Sequence, residues 1–553
     1  MRALVQPRDQ HRGTLLALLL AFSLLWFGTL EQRRLINPDE GRYAEIPREM
    51  VASGDWLTPR LNGFKYFEKP ALQYWATATA FSAFGEHHWT ARLWPALTGF
   101  LGVLFTAFAT ARLFGRQAGL IAGAVLGGSL LWNVIGHINT LDMGVSFFLA
   151  AAVFALCLAQ RDDANPRESR RWQDGAWVLL ALAVLSKGLI GLALPAFVVV
   201  AYAIWQRDPG FILRIRPGRG LAILLAITAP WFVAVSLANP EFAHFFFIHE
   251  HFERFLTKTH GRYQPPWYFF PILLAGMLPW LGVLAQGLVA GARREPGQHF
   301  QPRRFLFLWA VLVFVFFSAS GSKLSSYILP IFPALAALIG HYLMEGKANR
   351  RITKLTLPAA LIGGVSLLLV PFVTRFASAK VPVALFEAYQ PWLYAGAAAL
   401  CLAGLAAFRL GRQGRSVAAV FVLAFGGFIF GQGILLGHDK LAVANSAHDV
   451  AASISPQLAP ETPFFSVDTY DQSLQFYLKR TTTMVAYRDE LAFGISREPE
   501  KFIADLAEFE RTWLATPAAW ALMSPATWQE MQRKGLPMTE VLRDTRRVIV
   551  RKP

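Results

Sequence analysis

Residues 14–30 read TLLALLLAFSLLWFGTL, a run without a single charged side chain. At about 1.5 Å per residue, an α-helix over this run is just long enough to cross the hydrocarbon core of a bilayer. Arg2, Arg8 and Arg12 precede the run, which predicts that its N-terminal end faces the cytoplasm. A signal peptide would be followed by a small-residue cleavage site, and none is present here. We therefore predict a first transmembrane helix.

The chain beyond this run predicts a polytopic α-helical membrane protein with about 13 transmembrane helices. Hydrophobic residues make up 54% of the sequence and charged residues only 16%, which excludes a soluble protein of ordinary composition. Residues 71–85 are also apolar, and a full crossing there would change the parity of the crossings. Either they form a short, partial or interfacial segment, or residues 176–206 cross once rather than twice. The further predicted spans lie at about 93–112, 117–136, 144–159, 176–186, 189–206, 219–237, 267–288, 304–317, 327–343, 355–373, 391–409 and 417–436.

Basic residues outnumber acidic ones by 53 to 36, which gives a net charge of +17. They cluster in the joints between apolar runs, a pattern typical of membrane topology signals and not of nucleic-acid binding. The two cysteines, Cys157 and Cys401, both lie in apolar runs, which excludes a thiolate metal cage and a disulfide framework. The joints predicted to be cytoplasmic lie near 112–116, 161–171, 207–219, 293–304, 347–354 and 409–415.

The composition becomes that of a globular domain after residue 437. We therefore divide the chain into a transmembrane domain (1–436), which includes the outward loop 31–92, and a soluble domain (437–553). An odd number of crossings places the soluble domain outside the cytoplasm, and its hydrophobic pattern predicts a small α/β fold. The predicted strands are Thr462–Val467, Thr483–Ala486, Trp520–Met523 and Val548–Val550, and the predicted helices are Gln472–Leu478, Glu498–Trp513 and Pro525–Lys534.

Polar residues concentrate in the first outward loop, directly after the first helix. Asp39, Glu40 and Glu68 lie there in sequence with Arg42 and Lys69. One interpretation is a solvated loop whose Asn-Pro-Asp sequence caps a surface helix. The other is a carboxylate at the exit of the first helix that faces an outward cavity, because ionisable groups held at a membrane face are usually functional. The second arrangement suits an enzyme that acts on a lipid-linked substrate.

Four stretches of the sequence resemble a known family. They read Asn37-Pro-Asp-Glu-Gly-Arg-Tyr-Ala-Glu, Gly54-Asp-Trp-Leu-Thr-Pro-Arg-Leu-Asn-Gly, Tyr66-Phe-Glu-Lys-Pro and Ser322-Lys-Leu-Ser-Ser-Tyr-Ile-Leu-Pro. In this order they resemble the bacterial aminoarabinose transferases, membrane glycosyltransferases of the GT-C architecture that are similar to protein O-mannosyltransferases. The resemblance extends over the whole chain. It departs at Ser325, where the family often has proline, and this affects only local loop geometry.

The resemblance implies transfer of 4-amino-4-deoxy-L-arabinose from undecaprenyl phosphate to lipid A phosphates in a bacterial inner membrane, with the site and the soluble domain facing the periplasm. An added aminosugar offsets negative phosphate charge, so resistance to polymyxin and other cationic antimicrobial peptides is implied as well. No P-loop or GxGxxG motif is present, in agreement with a lipid-phosphate donor and no nucleotide cofactor. The expected partners are the lipid-linked donor, lipid A and membrane lipids, with no nucleic acid.

Transfer from a lipid phosphate requires cations that stabilise charge on the departing phosphate. Lys69 and Arg254 are the first candidates and Lys323 is the third. Arginine can hold a phosphate through two parallel hydrogen bonds, whereas lysine acts as a mobile point charge. We assign Lys69 a catalytic role and the other two a role in substrate binding. For Arg254 and Lys323 the alternative is that they snorkel to lipid headgroups.

Asp39 and Asp142 are the other catalytic candidates. Asp39 would be a general base for a hydroxyl acceptor, but a lipid A phosphate is already an anion. With that acceptor, Asp39 would instead bind the sugar's ammonium group, orient the nucleophile or coordinate a cation. Asp142 lies in another outward joint and either approaches the same cavity or caps the next helix. The remaining residues predicted to bind substrate are Glu40, Arg42, Tyr66 and Tyr327.

Glu68 and His249 form a candidate site for a divalent metal such as zinc, because both are predicted to lie at the outward face. One carboxylate and one imidazole are a partial ligand set only. His249 and His251 are two residues apart and do not form a HExxH zinc motif. The alternative is that these histidines form hydrogen bonds at the membrane interface.

Two other functions agree with part of the pattern. A flippase or secondary transporter would also be polytopic, but repeated halves with broken helices near the midplane are expected in that class, and no internal repeat is visible. A related GT-C enzyme that moves another sugar from a polyprenyl phosphate to protein or to a glycan would share most of these motifs. Donor choice depends on a few cavity contacts, which the sequence does not resolve.

Overall fold

The computed structural model describes residue 17 and residues 19–253, 264–345 and 348–553. The described chain is mainly helical and carries a six-stranded sheet near its C-terminus. A helix over residues 19–27 comes first. It is followed by α1 (Asp39–Ser53), α2 (Leu72–Phe84), α3 (His88–Phe114), α4 (Arg116–Gly127), α5 (Leu130–Gly136), α6 (Asp142–Ala159), α7 (Pro166–Lys187), α8 (Ile190–Gln206), α9 (Gly210–Arg214), α10 (Pro217–Ala238), α11 (Phe269–Gly276) and α12 (Leu281–Ala292).

The second half of the helical domain ends in three long helices. A π-helical segment, His244–Glu253, lies between α10 and α11, and a 3-10 segment, Ser325–Ile331, leads into α14. The remaining helices are α13 (Pro302–Ala319), α14 (Phe332–Met344), α15 (Ala348–Leu369), α16 (Val383–Arg412), α17 (Ser416–Asn445), α18 (His448–Ile454), α19 (Leu474–Leu478), α20 (Ala492–Arg497), α21 (Leu506–Ala515) and α22 (Pro525–Arg533).

Eight helical segments in the described part of the chain are long and apolar enough to cross a membrane, and two bent pairs raise that number to ten. Helices α4 and α5 form one pair, with an angle of 64°, and Pro266–Gly276 with α12 forms the other, with an angle of 113°. The first predicted span falls only partly within the described residues. The protein is a polytopic α-helical membrane protein, in rough agreement with the predicted number of helices.

Residues 71–85 form a short helix in the structure. They form α2, which has 13 residues and is therefore only about 20 Å long, shorter than the roughly 30 Å hydrocarbon core of a bilayer. Helices α7 and α8 are separate and are divided at Gly188, whose φ of 85° favours glycine. The length of α2 agrees with a short segment at 71–85, and residues 176–206 form two helices, neither of which is among the eight long apolar segments; the number of crossings there stays a prediction.

The C-terminal sheet has the strand order β5-β4-β3-β6-β8-β7. Its first four strands are parallel, and β8 and β7 are antiparallel to their neighbours. Buried apolar residues fill the central strands, which agrees with a sheet covered on both faces. The strands are β3 (Phe464–Val467), β4 (Thr483–Val485), β5 (Phe502–Ile503), β6 (Trp520–Met523), β7 (Thr539–Arg543) and β8 (Val548–Arg551).

Four of these strands, β3, β4, β6 and β8, confirm the sequence prediction. The predicted helix over Glu498–Trp513 is wrong in its first half, because β5 lies there and α21 begins only at Leu506. The proposed domain boundary at 437 lies within α17 and stays a prediction.

A short hairpin in the first outward loop joins β1 (Arg60–Leu61) to β2 (Phe64–Lys65). Its two turn residues, Asn62 and Gly63, have φ values of 52° and 77°. An Asn-Gly pair is the usual solution for this left-handed two-residue turn. The Asn62 amide also donates to the Thr482 carbonyl at 2.8 Å, so the hairpin is attached to the C-terminal domain.

The start of α1 packs directly on the C-terminal domain. A Cβ atom added at Gly41 would lie 2.6 Å from the Ser473 backbone nitrogen, so only glycine allows this approach. The Asn37 side-chain amide donates to Asp471 at 2.7 Å, and Arg547 donates to the other oxygen of Asp471 at 2.6 Å. The chain just before Asp39 is therefore positioned by residues more than 400 positions away.

Candidate functional site

A cavity of about 240 Å³ lies where the first outward loop meets the membrane helices. Its polar wall comes from the start of α1, the Glu-Lys-Pro motif, the start of α6 and the end of α7. Its apolar wall comes from α6, α8, α13 and the segment Ser325–Ile331. The charged residues of the lining are Asp39, Arg42, Glu68, Lys69, Asp142, Lys187 and Glu250.

Asp39 lies in the first turn of α1, where the helix dipole favours a negative charge. Its carboxylate is 3.5 Å from the Arg42 guanidinium, one helical turn later. Arg42 is almost fully buried and also pairs with Glu490 of the C-terminal domain, Nε to Oε2, at 2.6 Å. Burial opposes the charged form, but nearby Glu490 and Asp39 hold the pKa of Arg42 well above its usual range. Arg42 thus connects the cavity to the C-terminal domain as a permanent cation.

Lys69 is flanked by two carboxylates of the lining. Its Nζ lies 3.4 Å from Glu250 Oε2 and 3.9 Å from Glu68 Oε2, and it donates to the Glu68 carbonyl at 2.7 Å. Glu250 belongs to the π-helical segment, so this group joins the loop to the chain after α10. The arrangement fixes one cation at the edge of the cavity.

Asp142 and Lys187 form the second charged group. They make a close ion pair, and Ser326 donates to Asp142 Oδ2 at 2.7 Å. Lys187 Nζ also lies 4.6 Å from the centre of the Tyr327 ring, a cation–π arrangement. The alternative in which Asp142 caps a helix is not seen, because its carboxylate forms no cap hydrogen bond and points to Lys187 and Ser326.

The charges of the lining do not cancel. Among the lining residues that the structure describes, four carboxylates and three cations leave one excess negative charge in a space that is mainly apolar on its other side. An ammonium group would be attracted to the carboxylates, while a phosphate would be attracted to the cations at the cavity edge. The cavity can therefore accept a ligand that carries both groups.

Six of the residues predicted from the sequence meet in this cavity. They are Asp39, Arg42, Glu68, Lys69, Asp142 and Tyr327, and their individual roles stay predictions. Glu40 does not line it. The Glu40 carboxylate is fully buried and accepts two hydrogen bonds from Arg92, at 2.7 and 2.9 Å. Burial alone would raise the pKa of Glu40, but Arg92 and Arg33 lower it to about 2, so the group is a buried structural anion.

Three further predicted residues lie outside the lining. Tyr66 is buried in an apolar cluster that includes Tyr43 and Tyr74, and burial raises its pKa well above the usual range. The Lys323 ammonium group donates to the backbone carbonyls of Ser320 and Gln264. His249 stacks on Phe245, with 5.1 Å between the ring centres. Arg254 lies outside the described residues.

Few described side chains near Glu68 and His249 could serve as metal ligands. Glu68 already faces Lys69, and His249 Nδ1 lies 3.8 Å from Glu250 Oε1. Among the residues that the structure describes, no three His, Cys, Asp or Glu side chains are grouped as a metal site.

The sequence prediction missed two charged residues of the lining, Lys187 and Glu250. Lys187 lies between two apolar helices, and a lone lysine in such a position is a signal for function. Glu250 was visible beside His249 and His251, but nothing in the sequence placed it next to Lys69.

Comparison with known proteins agrees with this geometry. Residues 13–246 match the family described as dolichyl-phosphate-mannose-protein mannosyltransferase, and residues 450–552 match the aminoarabinose transferase C-terminal domain. An undecaprenyl phosphate-alpha-4-amino-4-deoxy-L-arabinose arabinosyl transferase of Shewanella sediminis is 35% identical over 383 residues, which is 68% of each chain. The chain belongs to the aminoarabinose transferase family.

Other members of the aminoarabinose transferase family are equally similar. A protein of the same description from Aeromonas salmonicida is 38% identical over 343 residues, 60% of this chain and 61% of that protein. The crystal structure of ArnT from Cupriavidus metallidurans bound to undecaprenyl phosphate covers 97% of this chain and 98% of its own, at 37% identity and a TM-score of 0.93. Membership confirms a membrane glycosyltransferase with the GT-C fold and an α/β domain at its C-terminus.

Proposed function

We propose that this protein transfers 4-amino-4-deoxy-L-arabinose from undecaprenyl phosphate to a phosphate of lipid A, at the periplasmic face of a bacterial inner membrane. The observation that carries the proposal is the cavity, which places cations and an excess of carboxylate beside an apolar wall. A lipid-linked aminosugar presents a phosphate, an ammonium group and an apolar chain. Family membership supports the same reaction, because the relatives are named for this sugar and this lipid.

The reaction exchanges one phosphate for another at the anomeric carbon of the sugar. An oxygen of the acceptor phosphate forms a bond to that carbon, and the bond to the undecaprenyl phosphate oxygen breaks in the same step. Undecaprenyl phosphate leaves with the bonding electrons. No proton has to be removed from an acceptor that is already anionic, so the enzyme acts by alignment and by stabilising charge on the departing phosphate.

Lys69 is our candidate for stabilising the departing phosphate. Its ammonium group is fixed at the cavity edge between Glu68 and Glu250. As negative charge develops on the leaving oxygen, a fixed cation at this place lowers the energy of the transition state. We assign Lys187, which pairs with Asp142 in the same cavity, to the acceptor phosphate.

Asp39 is our candidate for binding the sugar. Its carboxylate is 41% exposed at the cavity and is oriented by Arg42. In this position it can accept hydrogen bonds from the sugar's ammonium group and hold the anomeric carbon in line with the acceptor. A role as general base would be needed only with a hydroxyl acceptor.

The mass of lipid A tests the proposal directly. A host whose own transferase is deleted would carry either the wild-type protein or Asp39→Asn. We expect the wild type to add the mass of one aminopentose, and the variant to add none while it is still inserted in the membrane. The same cells should gain resistance to polymyxin only with the wild type. No mass gain by a well-expressed wild type with adequate donor would refute the proposal.

A second candidate function follows from the match of residues 13–246 to the mannosyltransferase family. Such an enzyme would transfer a sugar to a hydroxyl group of protein or of a glycan, with Asp39 as its base. The match of residues 450–552 to the aminoarabinose transferase C-terminal domain favours the first candidate. Unchanged lipid A together with newly glycosylated protein would identify the second.

A requirement for a divalent metal at Glu68 and His249 stays a proposal. It predicts that a chelator lowers transfer and that added zinc restores it. Thermal unfolding followed in parallel separates loss of a catalytic ion from loss of fold. Full activity in the chelated, still folded protein would remove the metal from consideration.

A further inference from the structure

A second cavity, of about 390 Å³, lies at the C-terminal end of α12. Its walls are Ala285 and Val289 of α12, Arg293 directly after that helix, Tyr342 at the end of α14, and Glu345 and Arg351 beyond it. We call it the arginine groove. It shares no lining residue with the cavity that holds Asp39. Its arginines belong to the joints near 293–304 and 347–354, which the sequence predicts to be cytoplasmic.

The two arginines of the groove differ in how they are held. Arg351 donates to the Tyr342 carbonyl, its guanidinium lies 4.1 Å from the centre of the Tyr342 ring, and Glu345 is 3.9 Å away. Arg293 is exposed and forms no ion pair with any residue that the structure describes. The described residues of the lining contribute one carboxylate and two guanidinium groups, which gives them one net positive charge.

The wall of α12 beside these arginines is open and mainly apolar, with Gln286 as a polar residue next to Ala285. Val289 is 58% exposed, and Ala285, one turn earlier on the same helix, is also exposed. In a membrane helix such residues face lipid chains. The groove therefore has an apolar strip along the helix and a cationic end where the helix leaves the membrane.

We propose that the arginine groove binds an anionic glycerophospholipid of the cytoplasmic leaflet. The net charge of the groove, plus one, is complementary to a lipid with a net charge of minus one, such as phosphatidylglycerol. Its phosphate lies between Arg293 and Arg351, and one acyl chain follows Ala285 and Val289. Basic pockets between membrane helices on the cytoplasmic side recognise acidic headgroups in this way. A zwitterionic lipid fits the apolar strip equally well but leaves the positive charge uncompensated.

Native mass spectrometry of the full-length protein in detergent tests this site. Phosphatidylglycerol and phosphatidylcholine with identical acyl chains serve as probes. We expect the wild type to retain more phosphatidylglycerol, and Arg293→Gln to lower that retention about fivefold, the effect of one basic residue at a membrane surface. Arg293→Lys should keep most of the retention, because the charge remains. Arg409→Gln is the matched control, since Arg409 is exposed in another joint of the same predicted side and should change nothing.

Stability measurements complete the test. Phosphatidylglycerol should raise the temperature of unfolding of the wild type and not of Arg293→Gln, whereas inorganic phosphate alone should raise neither. Without lipid, the two proteins should unfold at the same temperature, because Arg293 is exposed. Equal retention of both lipids, an equal loss in Arg409→Gln, or stabilisation by phosphate alone would overturn the proposal.

Discussion

Lys69, our candidate for stabilising the departing phosphate, is held in place by its neighbours. A lysine alone at a membrane face would move over several ångströms, but Glu68 and Glu250 hold its ammonium group from two sides. The cost of this arrangement is a lower positive potential at the point where we propose that the phosphate binds. The benefit is a cation whose position is fixed before the substrate binds, which is the condition for electrostatic catalysis.

Replacing Lys69 by alanine should lower the rate of transfer by about 10- to 150-fold, the equivalent of one charge-assisted hydrogen bond of roughly 1.5–3 kcal/mol. The rate is measured with purified protein, lipid-linked donor and lipid A. Lys65→Ala is the matched control, because Lys65 pairs with Glu241 at 2.7 Å and does not line the cavity. An equal effect of both substitutions would show that Lys69 acts through the fold and not on the phosphate.

Glu49 is a buried carboxyl group in α1 whose ionisation is unfavourable. Burial and the neighbouring Glu45 raise the pKa of Glu49 to about 8, although Arg48 and the Gly63 backbone N–H oppose the shift. The folded state therefore keeps a proton that the unfolded state releases near the ordinary value of about 4.3. Between the unfolded pKa of about 4.3 and the folded pKa of about 8, the free energy of unfolding falls as pH rises, by up to about 1.4 kcal/mol per pH unit.

Glu49→Gln should remove this pH dependence, because the amide stays neutral and its oxygen can still accept from Gly63. We expect the variant to unfold at a higher temperature than the wild type at pH 8.5, with a smaller difference at pH 5.5. Thermal unfolding in detergent measures both. Glu510→Gln, at a surface pair with Lys534, should leave the pH dependence unchanged. Identical profiles for Glu49→Gln and wild type would contradict the assignment.

At the scale of elements, the important contact is between the start of α1 and the C-terminal domain. Asp471 accepts hydrogen bonds from Asn37 and from Arg547, and all three side chains are largely removed from solvent. Burial opposes ionisation, but Arg547, Asn37 and Ser473 lower the pKa of Asp471 below its usual range. Its stabilising effect is therefore complete above about pH 4 and is lost as pH falls through the lowered pKa.

Asp471→Ala should destabilise the protein by about 1–3 kcal/mol, because it leaves the buried Arg547 Nε without its acceptor, while Asp544 still pairs with Arg547 Nη1. It should also lower transfer, since Asn37 no longer holds the loop before Asp39. Thermal unfolding and the mass of lipid A report the two effects. Asp471→Asn still offers an oxygen to Asn37, so it should recover part of the transfer. If Asn37→Ala leaves transfer unchanged, the loop does not depend on this contact.

At the scale of the whole molecule, the class of fold could be predicted because its signals are local. Apolar runs and charged joints specify membrane helices without reference to other parts of the chain. The central strands β3, β4, β6 and β8 were equally visible as short apolar runs. Strand β5 has only two residues and β7 is largely exposed and charged, so neither gives a hydrophobic pattern that could be recognised.

The site could be predicted only in part, because it is assembled from distant segments. The motifs located Asp39, Lys69 and Tyr327, but not which way neighbouring side chains point. Adjacent helical residues are about 100° apart, so Glu40 turns away from the cavity toward Arg92 while Asp39 faces it. Lys187 was missed because its partner, Asp142, is 45 residues earlier in the chain. Pairings over such distances leave no trace in a single sequence.

The contact between Asn37 and Asp471 also determines when the loop before Asp39 gains its support during synthesis. These residues are separated by 434 positions, so at a synthesis rate of about 5–20 residues per second the second emerges roughly 20 to 90 seconds after the first. During that interval the membrane helices can already insert, yet the loop before Asp39 lacks its support. A chain whose synthesis stops before Asp471 would thus occupy the bilayer without this support, and the loop before Asp39 is held only after Asp471 and Arg547 have been translated.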